Sequence, residues 1–357
     1  MIGARLKLAR AAAGLSLRGL EDRLAGLVTA QAIGKYERNE MAPSSTVLIS
    51  LARALSVTEE HLLNTADVEL VGVEFRKQKL TTAKDDAAVR ALILSEVERY
   101  LEIERILHLE PREADVPRRR PVRSLDAVEA AARALRDQWE LGNDAIPNLC
   151  EFLEEKGIKI CAVDLPDKVS GVQAQVRTAD MDPLPVIVVN ARHAGERQRF
   201  TIAHELGHLY LSAGDGLDIE PACQRFAGAF LVPGDVLERE VGRHRRSISA
   251  HELLALKRLF GVSAQALAYR CKDLGIISHG AFTEIFRVFS ARGWRTKEPL
   301  EFLPERPARF ERLCLRALAE GLISESKASE LLQRTVQGVE ALMDMPPEGF
   351  DAPGPRL

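Results

Sequence analysis

Between Arg199 and Leu211 the chain reads RFTIAHELGHLYL, and His204, Glu205 and His208 within it form an HExxH pattern. Residues four apart on a helix lie one above the other on one face, so His204 and His208 can hold a single metal ion between them. Glu205 is offset by about a quarter turn. That sets it beside the metal, near a bound water, and outside the ligand set. Two imidazoles with an adjacent carboxylate are what a zinc hydrolase needs, the Glu serving as general base. Phe200, Ile202, Ala203, Leu206, Leu209 and Leu211 surround the polar triplet with apolar side chains and predict a buried helix. Burying two His and a Glu without a partner would be costly, which argues for a metal site over a chance match.

Catalytic zinc sites take three protein ligands plus water. The third is expected from Glu220, twelve residues past His208, in IEPACQRFAGAFLVP. There Cys223, Phe226, Ala227 and Phe230 have helical spacing, so a second helix begins near Glu220. Asp218 and Asp215 compete for the role. Cys223 is a further possibility, although its place on the apolar face suits a core thiol better.

The elements that must position these residues are set by a chain of 357 residues, enough for two or three domains. The composition, 46% hydrophobic and 28% charged, is that of a soluble globular protein. A net charge of -3 excludes a polycation, so DNA binding would need a local patch. Cys150, Cys161, Cys223, Cys271 and Cys314 form no CxxC pair and leave an odd one, which points to a reducing compartment and away from a disulfide frame or zinc ribbon. Met1–Leu8 has two basic residues and no following apolar run, which reads as no signal peptide, and no stretch is long enough to span a membrane. A cytoplasmic protein is expected.

Residues 1–64 read as five short helices. Gly14 ends the first, Ser16 caps Leu17–Leu24, Thr29 caps TAQAIGKYERNE, Ser44 or Ser45 caps Thr46–Leu55, and Thr58 caps Glu59–Leu63. Helix, tight turn, helix is the helix-turn-helix arrangement. Through LSLRGLEDRL and VTAQAIGKYERNEMAPSSTVLISLARALSVTEEHLL the segment resembles the Xre/Cro-repressor family, which implies a five-helix, lambda-repressor-like DNA-binding domain. By that resemblance Thr29–Arg38 is the recognition helix, with Thr29, Ala30, Gln31, Lys35 and Tyr36 outward. Gln31 would pair with an adenine edge, and Lys35, Arg38 and Arg18 would meet phosphates. The chain departs from the family at Leu17, where Gln is usual, and at Glu21, where a small residue is usual. Eight Lys and Arg stand against six Asp and Glu in residues 1–64, so one copy would bind weakly; a homodimer on a palindromic operator in double-stranded DNA is expected.

Residues 68–110 place Ala88, Leu92, Val97, Leu101 and Ile106 among charges, a long amphipathic linker helix capped by Thr81 or Thr82 and ended by Pro111. It reads equally as a spacer or dimerisation arm and as a helix packed on the next domain. PREADVPRRRPVR, with Arg118, Arg119 and Arg120, reads as an extended basic linker. From 124 to 240 two helices (Leu125–Leu141, Ile146–Lys156), three strands (Ile158–Val163, Gly171–Arg177, Pro185–Asn190), the metal helix and the Glu220 helix form a small α+β zincin core. RQRFTIAHELGHLYL, EPACQRFAGAFLVP and the strands before them resemble the ImmA/IrrE metallopeptidase family. The resemblance implies a mononuclear Zn2+ site in a cytoplasmic peptidase of a kind that often cleaves or disables a repressor. His204 and His208 would be ligands, Glu205 the base and Glu220 the third ligand. Gln224 replaces the polar residue the family often shows at that place.

Helices follow over 247–280. The turn Gly261-Val262-Ser263 gives them a second helix-turn-helix look, and packing is the favoured reading. Trp294 and Pro299 mark a linker, and Phe310–Glu320, Ser324–Gln333 and Val336–Met343 a helical cap. The expected fold is therefore mainly α with a small α+β zincin core: a DNA-binding domain (1–66), helix and linker (67–123), a zincin-like metallopeptidase domain (124–290), the cap (291–345) and a disordered tail (346–357). Two functions suit this plan. One is a regulator that cleaves a specific regulatory protein, or itself in the 111–123 linker, by zinc-activated water. The other is a non-proteolytic repressor or antitoxin that uses the metallopeptidase fold as a sensor or to bind a toxin partner.

Overall fold

The computed structural model describes residues 2–55, 57–63, 69–71, 83–109, 115–116, 118–178, 181–214 and 216–344. Thr81, Thr82, Pro111, Asp215 and the expected tail lie outside these residues.

Five helices open the chain: α1 (Ile2–Ala12), α2 (Leu17–Arg23), α3 (Ala30–Glu37), α4 (Ser45–Leu55) and α5 (Glu59–Leu63). Their starts follow from capping. Ser16 Oγ accepts from Gly19 N at 2.9 Å, Thr29 Oγ1 from Ala32 N at 3.3 Å, and Ser44 Oγ from Val47 N at 3.4 Å. Leu6, Leu20, Ile33, Leu51 and Leu62 are fully buried between them. Gly3 lets α1 cross the end of α3: an added Cβ would lie 2.5 Å from the Tyr36 carbonyl oxygen. Arg10 forks onto Glu37 at 2.5 and 2.9 Å and fixes the same crossing.

β1 (Glu69–Val71) precedes α6 (Ala83–Ile106), whose 24 residues span about 36 Å. α6 does not bridge solvent. Arg5 of α1 pairs with its Glu98. Val89, Ile93, Val97 and Leu101 pack on a sheet, and Tyr100, Ile103 and Leu107 pack on the C-terminal helices. An apolar stripe at 88, 92, 97, 101 and 106 captures only part of this, because a helix buried on several sides is apolar on several sides.

Next come β2 (Arg120–Val122), α7 (Leu125–Gln138), α8 (Leu149–Glu155), β3 (Lys159–Val163), β4 (Gly171–Thr178), β5 (Met181–Asn190), α9 (Gly195–Tyr210), β6 (Leu211–Ala213), α10 (Ile219–Leu231) and α11 (Gly234–Val241). The four-stranded sheet has the order β1-β4-β5-β3, with β4 antiparallel to β1 and β5, and β3 parallel to β5. Val186 and Val188 of β5 face α6, while Ile187 and Val189 face the helices that include α9. A strand covered on both faces explains the unbroken VIVV run. The basic segment is a strand at its end: β2 pairs in parallel with β6.

α12 (Ala250–Phe260), α13 (Ala264–Asp273) and α14 (His279–Ala291) extend the same core through Leu253, Leu267, Cys271 and Phe289. α15 (Arg309–Ala319), α16 (Glu325–Leu332) and α17 (Val336–Asp344) form a separate cluster closed by α6.

Candidate metal centre

α9 runs through the middle of the core, so its polar side chains are buried: His204 is 3% exposed, Glu205 6% and His208 8%. His204 Nε2 and His208 Nε2 stand 3.1 Å apart, one helical turn from each other. The chain then turns back through β6, Gly214 and Gly216 (φ +86°) into α10. Asp218 caps α10 by accepting from Glu220 N at 3.0 Å. Glu220, in the first turn, brings Oε2 to 3.6 Å from His204 Nε2 and Oε1 to 3.4 Å from His208 Nε2. Ligand atoms of His204, His208 and Glu220 all lie within 4.8 Å of one another. Donors about 2.0–2.1 Å from one tetrahedral ion stand roughly 3.3 Å apart, so two imidazoles and a carboxylate at these separations fit such an ion.

Two glycines make this convergence possible. A Cβ on Gly207 would meet Phe226 Cδ1 at 3.2 Å and Cys223 Cα at 3.3 Å, so α9 and α10 touch backbone to backbone at the step between the ligands. A Cβ on Gly171 would lie 2.4 Å from Thr201 Cγ2 and 3.6 Å from Glu205 Cγ, so β4 starts flush against the metal helix beside Glu205. Neither was singled out from the sequence, although a glycine inside a strand pattern signals such an approach. Among the alternatives for the third ligand, Asp218 is the cap of α10 and Cys223 packs against Gly207. Neither joins the cluster of candidate ligands among the described residues.

α10 is clamped from outside the site. Arg136 of α7, buried, donates to the Phe230 carbonyl at 2.6 Å and to the Asp144 carbonyl at 2.6 Å, and burial lowers its pKa to about 10. Arg225 of α10 and Arg270 of α13 share Glu129 of α7. Burial alone would raise that carboxyl; the bonds and charge of Arg270, then Arg225, outweigh it and hold Glu129 below the usual carboxylate range.

On the N-terminal domain, Arg18, Thr29, Gln31, Lys35 and Arg38 are exposed, and Ala30 is half-buried. Tyr36, expected to face outward, is 6% exposed and lies in the core with Leu6 and Ile33. It sits a residue past the outer face, where a large ring anchors α3 instead of reading DNA. Arg38 is held by Glu40 at 2.6 and 3.0 Å. Leu17 lies against α3 at Gly34, whose added Cβ would stand 3.6 Å from Leu17 Cδ1.

Among the described residues no helix is long and apolar enough to cross a membrane. Residues 153–272, which contain the two histidines, Glu205 and Glu220, match the family model of the IrrE N-terminal-like domain of metallopeptidases, and residues 6–62 match that of a helix-turn-helix domain. No curated protein matches the chain. The chain thus joins a segment similar to Xre-like helix-turn-helix domains to one similar to the IrrE/ImmA-like metallopeptidase family, which supports a DNA-binding regulator with a metallopeptidase-family domain.

Proposed function

We propose that the chain is a proteolytic regulator in which one Zn2+, held by His204, His208 and Glu220, serves the hydrolysis of a peptide bond. The observation that carries this reading is the convergence of these three side chains within 4.8 Å of one another, with Glu205 buried on the same turn of α9. Zinc in such a donor set supplies Lewis-acid chemistry: it polarises a carbonyl and makes water acidic near neutral pH. Glu205 takes the proton of the attacking water and returns it to the leaving amine. A purely structural site has no use for a base at that position, which favours chemistry over a binding role.

The helix-turn-helix domain brings this site to a two-fold operator as a homodimer. Thr29, Ala30 and Gln31 face the bases, and Arg18, Lys35 and Arg38 face phosphates. The substrate is a specific regulatory protein of the cytoplasm. Cutting the chain's own linker at Arg120–Val122 would require β2 to part from β6, which makes a separate protein the better substrate.

The test compares cells producing the wild-type chain with cells producing Glu205→Gln, reading new protein N-termini across the proteome. A fragment formed with wild type should fall by about 10²–10⁴-fold in the variant, the usual contribution of a general base. The same termini at the same rate in both would end the proteolytic reading.

A further inference from the structure

The stretch from Trp294 to Ala308 has no helix or strand, yet it is fastened to the start of the metal helix by buried charges. Glu298 accepts from Ala264 N at 2.8 Å and Gln265 N at 3.1 Å, capping α13, and from Lys257 Nζ at 3.2 Å. Lys257, 1% exposed, also donates to Glu196 in the first turn of α9 at 2.6 Å. Seven residues on, Glu305 accepts from Leu149 N at 2.7 Å and Cys150 N at 3.2 Å, capping α8, and pairs with Arg199 of α9, which is 2% exposed and also donates to the Ile146 carbonyl. Between the two anchors, Phe302 O accepts from Gly195 N at 3.1 Å, and a Cβ on Gly195 would lie 2.4 Å from both the Phe302 and Leu303 carbonyl oxygens.

Apolar contact comes mainly from Phe302, half-buried with its ring against Gly261 and 5.9 Å from Arg199 Cζ. Leu303 is 80% exposed and Leu300 40% exposed, and Leu300 stands at φ +58°, a conformation a leucine rarely adopts. Lifting the strap would leave Arg199 without its carboxylate and remove the added acceptors at the starts of α8 and α13, leaving only the Asn148 and Ser263 caps there. Buried charges left unpaired are costly, so both anchors hold or release together. The strap then runs into α15, where Arg309 meets Glu104 of α6 at 2.5 Å. Farther on, Lys327 meets Glu102 at 2.7 Å, and Glu330 accepts from Thr58 of the helix-turn-helix domain at 3.0 Å.

We propose that residues 298–305 form a latch through which the C-terminal helices set the position of the metal helix, with Glu298 and Glu305 as positioning residues of the metal centre. The inference rests on the zinc reading above. A latch in place holds the first turn of α9 against α8 and α13, and with it the register of His204 and His208 against Glu220. A released latch frees that turn and loosens the metal.

The experiment measures the zinc Kd by competition with a chromophoric chelator, on the full chain, for wild type, Glu298→Gln, Glu305→Gln, the double variant and Glu98→Gln, with limited proteolysis of residues 298–308 read on the same samples. Glu98 pairs with Arg5 at the α1–α6 joint and serves as the control. Each single latch variant should weaken zinc binding about tenfold, the effect of losing an outer support of a metal ligand. The double variant should be only marginally weaker, because the anchors release together. The latch should become cleavable in step, with Glu98→Gln unchanged in both readouts. Zinc affinity at the wild-type value overturns the proposal whether or not the strap is cut, and so does an equal loss in Glu98→Gln. A wild-type chain that binds no zinc defeats the metal reading instead.

Discussion

Helix α9 buries its two histidines and its glutamate at 3%, 8% and 6% exposure, whereas helix α3 and its cap leave Thr29, Gln31 and Lys35 in solvent. The difference suits the role proposed for each helix. A metal centre needs donors fixed to a few tenths of an ångström, and burial on all sides, with Gly207 closing α9 onto α10, supplies that. A reading helix needs side chains free to meet base edges and phosphates, so it buries one face only, through Ile33 and Tyr36. Substitutions on α9 should therefore act through geometry, and those on α3 through charge.

The largest effect tests the close approach. Gly207→Ala places a methyl 3.2–3.3 Å from Phe226 and Cys223. Overpacking of this kind costs about 1–3 kcal/mol, so thermal unfolding should shift down and zinc binding weaken together. Unchanged zinc binding would mean that the contact does not set the ligand spacing.

A second test lies on the joint around α6. Burial raises the Glu154 pKa to about 7, against the bonds it accepts from Arg309 N and Tyr100 Oη. Its ordinary value is 4.5, so between 4.5 and about 7 the folded chain holds a proton that the unfolded chain has lost. Stability should thus be fully present at low pH and fall as pH rises through that window. Glu154→Gln should flatten the fall, measured by denaturant unfolding at pH 5 and pH 7.5. An equally steep fall in the variant would assign it to another group.

The smallest effects belong to α3. Lys35→Ala should weaken DNA binding about equally across sequences and reduce the salt slope by about 1, read by gel shift at several salt concentrations. Glu40→Gln, which frees Arg38, should act in the opposite direction. Sequence-selective loss in Lys35→Ala would move that residue from phosphate to base contact.

What the sequence revealed divides along the same line. Spacing alone placed His204, Glu205 and His208 on one helix, because a four-residue repeat leaves little freedom. Ser16 and Thr29 were legible as caps for a similar local reason, and each accepts the expected backbone bond. Tyr36 was misjudged because a shift of one residue turns a helical side chain by about 100°. The α14 helix was not foreseen, although Ser278 caps it and Ile285, Phe286 and Phe289 give it a buried face. Its Phe-rich run lay beside a segment read as linker. The wide burial of α6 and the role of Glu298 and Glu305 were out of reach, since both depend on partners far away in the chain.

His204, His208 and Glu220 are proposed to hold the metal on which the whole function depends. Elemental analysis of the purified wild-type chain beside His204→Ala tests this most directly. One zinc per chain is expected in the wild type and little or none in the variant. Equal zinc in the two would contradict it.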